Sequence, residues 1–185
     1  YLNLPIPHFQ YISKRQSFVG HKMIRGENFS LKIYNSLNES IQNQIQQSIG
    51  EFLNRLHHID LSNIANCHLN MMDYKEEYSD DLETAQRLIY PDLSPNDRET
   101  TDKIFASYFS NKENFYYRPS LIHNDFSTDH ILYEKTRREI SGIIDFGDLA
   151  IGDPDYDLLH LYNSFGVNFI MGLLRFYKHN DPENL

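Results

Sequence analysis

Residues 121–132 of the chain read Leu-Ile-His-Asn-Asp-Phe-Ser-Thr-Asp-His-Ile-Leu, and residues 142–148 read Gly-Ile-Ile-Asp-Phe-Gly-Asp. Seven of the eight residues from 123 to 130 have hydrogen-bonding side chains, and apolar β-type runs flank them. Burying such groups costs free energy unless each has a partner, so a functional site is the economical explanation. The two stretches therefore predict polar loops at the ends of short strands.

Helical spacing dominates the rest of the chain. The clearest helix is predicted over residues 37–58, where apolar residues recur every three or four positions and Ser36-x-x-Glu39 resembles a capping box. A second helix is predicted over about 68–90, a third from Ser94-Pro95 onward, and a fourth from Asp153-Pro154 to about Tyr177. The buried side of the third helix is predicted to consist of Ile104, Phe105, Tyr108 and Phe109.

Short β-type runs punctuate these helices. Their length and composition predict small hairpins rather than a large sheet. The predicted strands are Phe9–Ser13, Ser17–Ile24, Leu121-Ile122, Ile131–Tyr133 and Ile140–Ile144.

Composition bounds the class of protein. The chain has 185 residues, 40% hydrophobic and 23% charged, which is typical of one globular domain and excludes disorder. Seventeen basic and 26 acidic residues give a net charge of −9, which argues against nucleic-acid binding and favours cationic ligands. The single cysteine, Cys67, excludes an internal disulfide framework, and no apolar run approaches the ~18 residues of a membrane span. We expect a cytoplasmic monomer without membrane contact.

The polar loops resemble those of a known enzyme family. His123-x-Asp125-x-x-x-x-His130 followed by Asp145-Phe146-Gly147 resembles the catalytic and metal loops of kinase-like phosphotransferases, except that protein kinases have Asn at the position of His130. The full sequence of the two polar loops resembles that of the aminoglycoside phosphotransferases, most closely those that modify the 2″-hydroxyl. The likeness continues in Gly152-Asp153-Pro154-x-Tyr156-Asp157-Leu158 and in Phe52-Leu-x-x-Leu56-His57. It implies an α+β, protein-kinase-like fold: a mostly helical C-terminal lobe with small β-hairpins and only the end of the N-terminal lobe.

The resemblance also implies roles for individual residues. Asp125 would be the catalytic residue that orients the acceptor hydroxyl, and Asp145 with His130 would hold Mg²⁺ against the phosphates of ATP or GTP. The nucleotide base would lie on Leu132 and Ile144, and backbone near Met23 and Ile24 would contact its edge. The implied reaction is transfer of the γ-phosphate to a hydroxyl of an aminoglycoside antibiotic, as in a resistance enzyme.

Carboxylates are the expected substrate contacts. Asp125 and Asp148 are the individual candidates, and Glu76, Glu77 and Asp80 belong to a run with six carboxylates in eleven positions. A solvated helix face is the simpler explanation of that run. Residues 161–166 read Leu-Tyr-Asn-Ser-Phe-Gly, whereas the 2″ group often carries acids there, which weakens the case for aminoglycoside specificity.

Several polar residues have structural explanations. Asp125 could cap a turn, and His130 could brace the loop rather than bind metal. His123 is expected to bond backbone within the loop, Asp153 to cap a helix, and Asp157 to anchor the catalytic loop.

The likeness divides the chain into a remnant of the N-terminal lobe at residues 1–27, comprising a β-hairpin and hinge, and a helical C-terminal lobe at 28–185 with both polar loops. No Gly-rich phosphate loop, G-x-x-x-x-G-K-[ST] motif or early-strand lysine with a helical Glu partner is found. We expect the small N-terminal lobe to lie upstream of residue 1. A chain without it is expected to show weak or no catalysis.

Other functions remain open from sequence alone. The same chemistry on another small alcohol, as in choline-kinase-like or homoserine-kinase-like relatives, is the nearest alternative. A metal-dependent hydrolase built from His57, His58, Asp60, His123 and Asp125 is a second. The third is a catalytically impaired lobe that only binds cationic ligands.

Overall fold

The computed structural model describes residues 2–15 and 17–179. The chain divides into two compact units: Tyr1–Asn70 with Pro119–Leu185, and Met71–Arg118. The lobe boundary predicted at residue 27 stays a prediction. In the described part of the chain, no helix combines the length and apolarity needed to cross a bilayer.

Six α-helices and eight short strands make up the regular structure of the described residues. The helices are α1 (Leu31–Asn35), α2 (Glu39–His57), α3 (Tyr74–Leu88), α4 (Pro95–Ser110), α5 (Asp155–Phe165) and α6 (Val167–Leu173). The strands are β1 (Phe9–Ile12), β2 (Val19–His21), β3 (Glu27–Asn28), β4 (Asn70–Met71), β5 (Ser120–Ile122), β6 (Ile131–Glu134), β7 (Glu139–Ile143) and β8 (Ala150–Gly152).

Helix α2 is the central support of the larger unit. Its apolar stripe is fully buried from Ile45 to Leu56, and the ring of Phe52 stacks on Phe126 of the first polar loop at 5.8 Å. The predicted Ser36 cap is wrong. Ser36 ends α1 by donating to the carbonyl of Ile33, whereas the side chain of Asn38 accepts the amide of Ile41 and starts α2. Both residue types cap well, so the local pattern alone did not decide between them.

The strands form small antiparallel pairs. The β1–β2 and β6–β7 pairs match the predicted hairpins, whereas β3 and β8 were not predicted. Strand β1 pairs with β2, β3 pairs with β6, β6 with β7, and β5 with β8. The first polar loop connects β5 to β6, and the second connects β7 to β8. Because the amide of Ile144 donates to the carbonyl of His130 at 2.9 Å, the two loops are joined by backbone.

The smaller unit, Met71–Arg118, contains α3 and α4. Ser94 caps α4 as predicted by accepting the amide of Asp97 at 3.2 Å. The predicted buried side of α4 is wrong in part: Ile104 is 62% exposed and Tyr108 39% exposed. A unit this small has too little interior to bury a whole helix face.

The predicted C-terminal helix is broken in two. Gly166 has φ of 80°, a left-handed value that ends α5 and lets α6 begin at Val167. Before α5, the side chain of Asp153 accepts the amide of Asp155 at 3.0 Å, but the N-cap position itself belongs to Pro154, so the predicted N-cap is wrong by one residue.

Candidate active site

His130 lies between two carboxylates at the meeting point of the polar loops. Its Nδ1 is 3.5 Å from Asp125 Oδ2, and its Nε2 is 3.5 Å from Asp145 Oδ2. Nδ1 also lies 2.8 Å from the backbone carbonyl of Asp125, so in the neutral ring Nδ1 carries the hydrogen and donates it there. The Nε2 lone pair is then left facing the carboxylate of Asp145.

Asp145 has an unusual backbone. Its φ of 63° and ψ of 65° place it in the left-handed region, and its side chain is 61% exposed. A residue other than glycine held there costs about 1–3 kcal/mol, and such strain concentrates at functional sites. The positive φ belongs to Asp145 and not to Gly147, the glycine two residues later.

Asp157 anchors the first polar loop through its carboxylate. It is completely buried, and its carboxylate accepts the amides of His123 at 2.8 Å and Asn124 at 2.9 Å. Asn124 itself has a left-handed φ of 68°. The predicted anchoring role of Asp157 is therefore confirmed. Asp125 is the next residue along the chain after the two whose amides are anchored.

A buried hydrogen-bond chain continues beyond Asp157. Its Oδ2 accepts from His57 Nε2 at 3.0 Å, and His57 Nδ1 lies 2.7 Å from the hydroxyl of Tyr177. Burial raises the pKa of Tyr177, so the hydroxyl stays protonated and donates a hydrogen bond to His57. The sequence did not reveal Tyr177, because residues 120 positions apart carry no local signal of contact.

His123 is a structural histidine, as predicted. Its Nε2 donates to the carbonyl of Ile144 at 3.0 Å, and its ring lies 5.4 Å from that of Phe126 and 4.8 Å from that of Phe146. Burial lowers the pKa of His123, which keeps the ring neutral.

The residues predicted to bind nucleotide are in part brought together. Leu132 pairs with Gly142 across β6 and β7, and Ile24 lies so close to Gly142 that an added Cβ would come within 2.8 Å of it. Ile144 is half-buried beside His130, whereas Met23 is 74% exposed. Their role in nucleotide binding stays a prediction.

The acidic candidates occupy two separate places. Asp148 is exposed in the turn that begins at Phe146, three residues after Asp145. Glu76 and Glu77 lie in the first turn of α3, and Asp80 lies further along that helix; all three are exposed residues of the smaller unit. Substrate binding by these carboxylates stays a prediction.

The hydrolase alternative finds no support. His57 bonds Asp157, His58 bonds the carbonyl of Asn54 at 2.7 Å, and Asp60 caps a turn by accepting the amide of Ser62. Among residues 2–15 and 17–179, no group of three or more His, Cys, Asp or Glu side chains is arranged to hold a metal ion.

A sequence model described as "APH: Phosphotransferase enzyme family" matches residues 13–185. The chain belongs to this phosphotransferase family. Solved structures agree with that assignment. The GDP and kanamycin complex of APH(2″)-IIIa is 28% identical with a TM-score of 0.87, and covers 99% of this chain. A streptomycin–ATP complex of APH(2″)-IIa is 29% identical with a TM-score of 0.79, and covers 100% of it.

A third similar structure is ADP-bound APH(2″)-Ib, at 30% identity and a TM-score of 0.78, with 99% of this chain covered. The predicted fold is confirmed: this family member has the kinase-like fold of aminoglycoside phosphotransferases. The chain spans 63% of the length of each of these three structures.

Proposed function

We propose that this chain transfers the γ-phosphate of ATP or GTP to a hydroxyl of an aminoglycoside, with Asp125 as the catalytic residue. The observation that supports this most is the convergence of Asp125, His130 and Asp145. They come from two loops, yet each carboxylate lies 3.5 Å from the same imidazole. Phosphoryl transfer depends mainly on positioning and on neutralising charge, and this cluster supplies groups for both.

Asp125 is suited to receive the acceptor alcohol. Its side chain is 39% exposed, so a substrate can reach it, while the backbone on either side is fixed by bonds to Asp157 and His130. We expect its carboxylate to accept a hydrogen bond from the substrate hydroxyl, hold it in line, and take its proton late in the transfer.

His130 and Asp145 fit a divalent cation. The Nε2 lone pair and the carboxylate face each other, an arrangement that a cation between them would stabilise. The Nδ1–H···O=C bond of His130 is the contact that typically orients a metal-binding histidine. Mg²⁺ usually takes one or two protein ligands and completes its shell with phosphate oxygens and water. When bound, it would neutralise charge on the phosphates.

Substrate and nucleotide contacts complete the proposal. The exposed carboxylate of Asp148, with Glu76, Glu77 and Asp80 as further candidates, would attract the amines of an aminoglycoside, in keeping with the net charge of −9. Leu132 and Ile144, with backbone near Met23 and Ile24, would receive the base. The relatives described above are complexes with GDP, ATP or ADP, and two of them contain kanamycin or streptomycin.

Replacement of one carboxylate by an amide tests the assignment. In the full-length protein, we expect Asp125→Asn to lower aminoglycoside phosphorylation, measured by mass spectrometry, by about 10²–10⁴-fold, while nucleotide affinity, measured by calorimetry, stays unchanged. Asp129→Asn is the matched control. It makes the same change four residues along the same loop, and the amide oxygen still accepts the bond from Asn28.

Wild-type turnover in the Asp125→Asn variant would refute the catalytic role. Turnover by the unsubstituted chain with a different alcohol, and none with aminoglycosides, would instead favour the small-metabolite kinase. Drug binding without any phosphorylated product would favour a lobe that only binds cations.

A further inference from the structure

A cavity of about 880 Å³ lies between β3, α1, the start of α2 and the β6–β7 turn. Its lining, all within the larger unit and all described, includes none of Asp125, His130 and Asp145. The volume falls within the roughly 300–1,000 Å³ that is typical of small-molecule sites. The cavity is therefore a separate candidate site of metabolite size.

Three cations line this cavity. Lys32 comes from α1, and Lys135 and Arg138 come from the β6–β7 turn. Across the described residues, none of the three forms an ion pair. Glu27 is the acidic member of the lining, so the cavity has a positive charge excess in a chain whose net charge is −9.

The β6–β7 turn explains why two of these cations lack partners. Arg137 Nε lies 3.4 Å from Glu134 Oε2 and 3.1 Å from Glu139 Oε1. Glu134 also accepts the amides of Thr136 and Arg137 at 3.1 and 2.6 Å. Arg137 makes the ion pairs with both local carboxylates, so Lys135 and Arg138 have no ion pair there and remain available to a ligand.

Arg138 supplies an independent observation. Its φ is 57°, and its amide donates to the carbonyl of Glu134 at 2.8 Å to close the turn. Glycine or asparagine occupies such a left-handed turn position at lower cost than arginine does. Strain of this kind, on a cation that lines a cavity, points to a functional use of the side chain.

The remaining wall is apolar. Ile33 of α1, Leu37 between the two helices and Ile41 of α2 are half-buried and contribute to the lining. We propose that this cavity binds a small organic anion that carries an apolar group. Its phosphate or carboxylate would pair with Lys32, Lys135 and Arg138, and its apolar part would cover the three aliphatic side chains.

Calorimetry with octyl phosphate, below its micelle concentration, tests the site. We expect saturable binding that is at least about tenfold weaker in a Lys135→Glu/Arg138→Glu variant, since hydrogen bonds to charged groups are the strong ones. Lys75→Glu/Arg87→Glu changes the net charge equally in the other compact unit and should bind as the unsubstituted chain does. Octyltrimethylammonium, with the same tail and the opposite charge, should not bind.

Arg138→Gly separates binding from folding. It removes the cation and relieves the left-handed strain, so we expect the thermal midpoint to rise while octyl phosphate binds more weakly. Equal affinity for octyl phosphate in all variants, or equal binding of the cationic amphiphile, would overturn the proposal. Binding of an acidic peptide without any binding of octyl phosphate would overturn it too, in favour of a protein-docking surface.

Discussion

Asp157→Asn should destabilise the chain although it changes few atoms. The carboxylate of Asp157 accepts three hydrogen bonds, two buried bonds at Oδ2 and one part-buried bond at Oδ1. An amide keeps one acceptor oxygen and introduces an NH₂ group. Placing that oxygen where Oδ2 lies preserves the bonds from His57 and His123, but the NH₂ then faces the amide of Asn124, donor against donor.

The cost follows from these contacts. One buried amide left without an acceptor costs about 1–3 kcal/mol, and the two surviving bonds lose the strength that a charged acceptor gives them. Removing a buried charge returns part of this. We expect the free energy of unfolding to fall by about 2–4 kcal/mol, a large share of the ~5–15 kcal/mol that holds a typical domain.

Urea unfolding followed by circular dichroism at 222 nm measures this change, because the chain contains no tryptophan. Asp81→Asn, the same substitution at an exposed position of α3, is the control and should leave the midpoint unchanged. A midpoint for Asp157→Asn equal to that of the control would refute the anchoring role. The anchoring role would also be refuted if Asp157→Asn lost stability while the NMR signals of the His123 and Asn124 amides stayed unchanged.

Two further outcomes are expected. Burial lowers the pKa of His123 below its usual 6.5, so near and below that pH the unfolded chain binds a proton that the folded chain does not. The free energy of unfolding should therefore fall as the pH drops below 6.5, by at most about 1.4 kcal/mol per pH unit. In His123→Asn, stability should depend less on pH. A profile unchanged by that substitution would contradict the assignment. Gly142→Ala should lower the thermal midpoint, because the added Cβ would lie 2.7 Å from a backbone carbonyl oxygen. Gly147→Ala should be tolerated, because its added Cβ would lie 3.4 Å from the nearest atom. Equal midpoints for the two alanine variants would show that the backbone around Gly142 yields.

The sequence revealed the parts of the site that are local. The alternation between apolar strands and polar loops, and the spacing from Asp125 to His130 and Asp145, are visible along the chain. The buried stripe of α2 is equally visible, because its period matches the helix. These patterns predicted the β1–β2 and β6–β7 hairpins and both polar loops, but not strands β3 and β8 or their pairing.

The features that the sequence did not predict depend on contacts between distant residues or on backbone angles. Tyr177 reaches His57 only after α5 and α6 fold back, and no spacing rule connects them. The left-handed backbone of Asp145 follows a plain Ile-Ile run, with only the general tolerance of Asp for that region as a clue. Ile104 has the spacing of a buried residue yet is exposed, because burial depends on what a helix face meets.

The bond from the amide of Ile144 to the carbonyl of His130 joins the two polar loops through main-chain atoms, so this link does not depend on which side chains the two residues carry. A substitution at position 130 or 144 would therefore keep this bond, whereas the bond from His123 Nε2 to the carbonyl of Ile144 depends on the histidine ring. A main-chain link of this kind is compatible with histidine at the position where protein kinases carry asparagine.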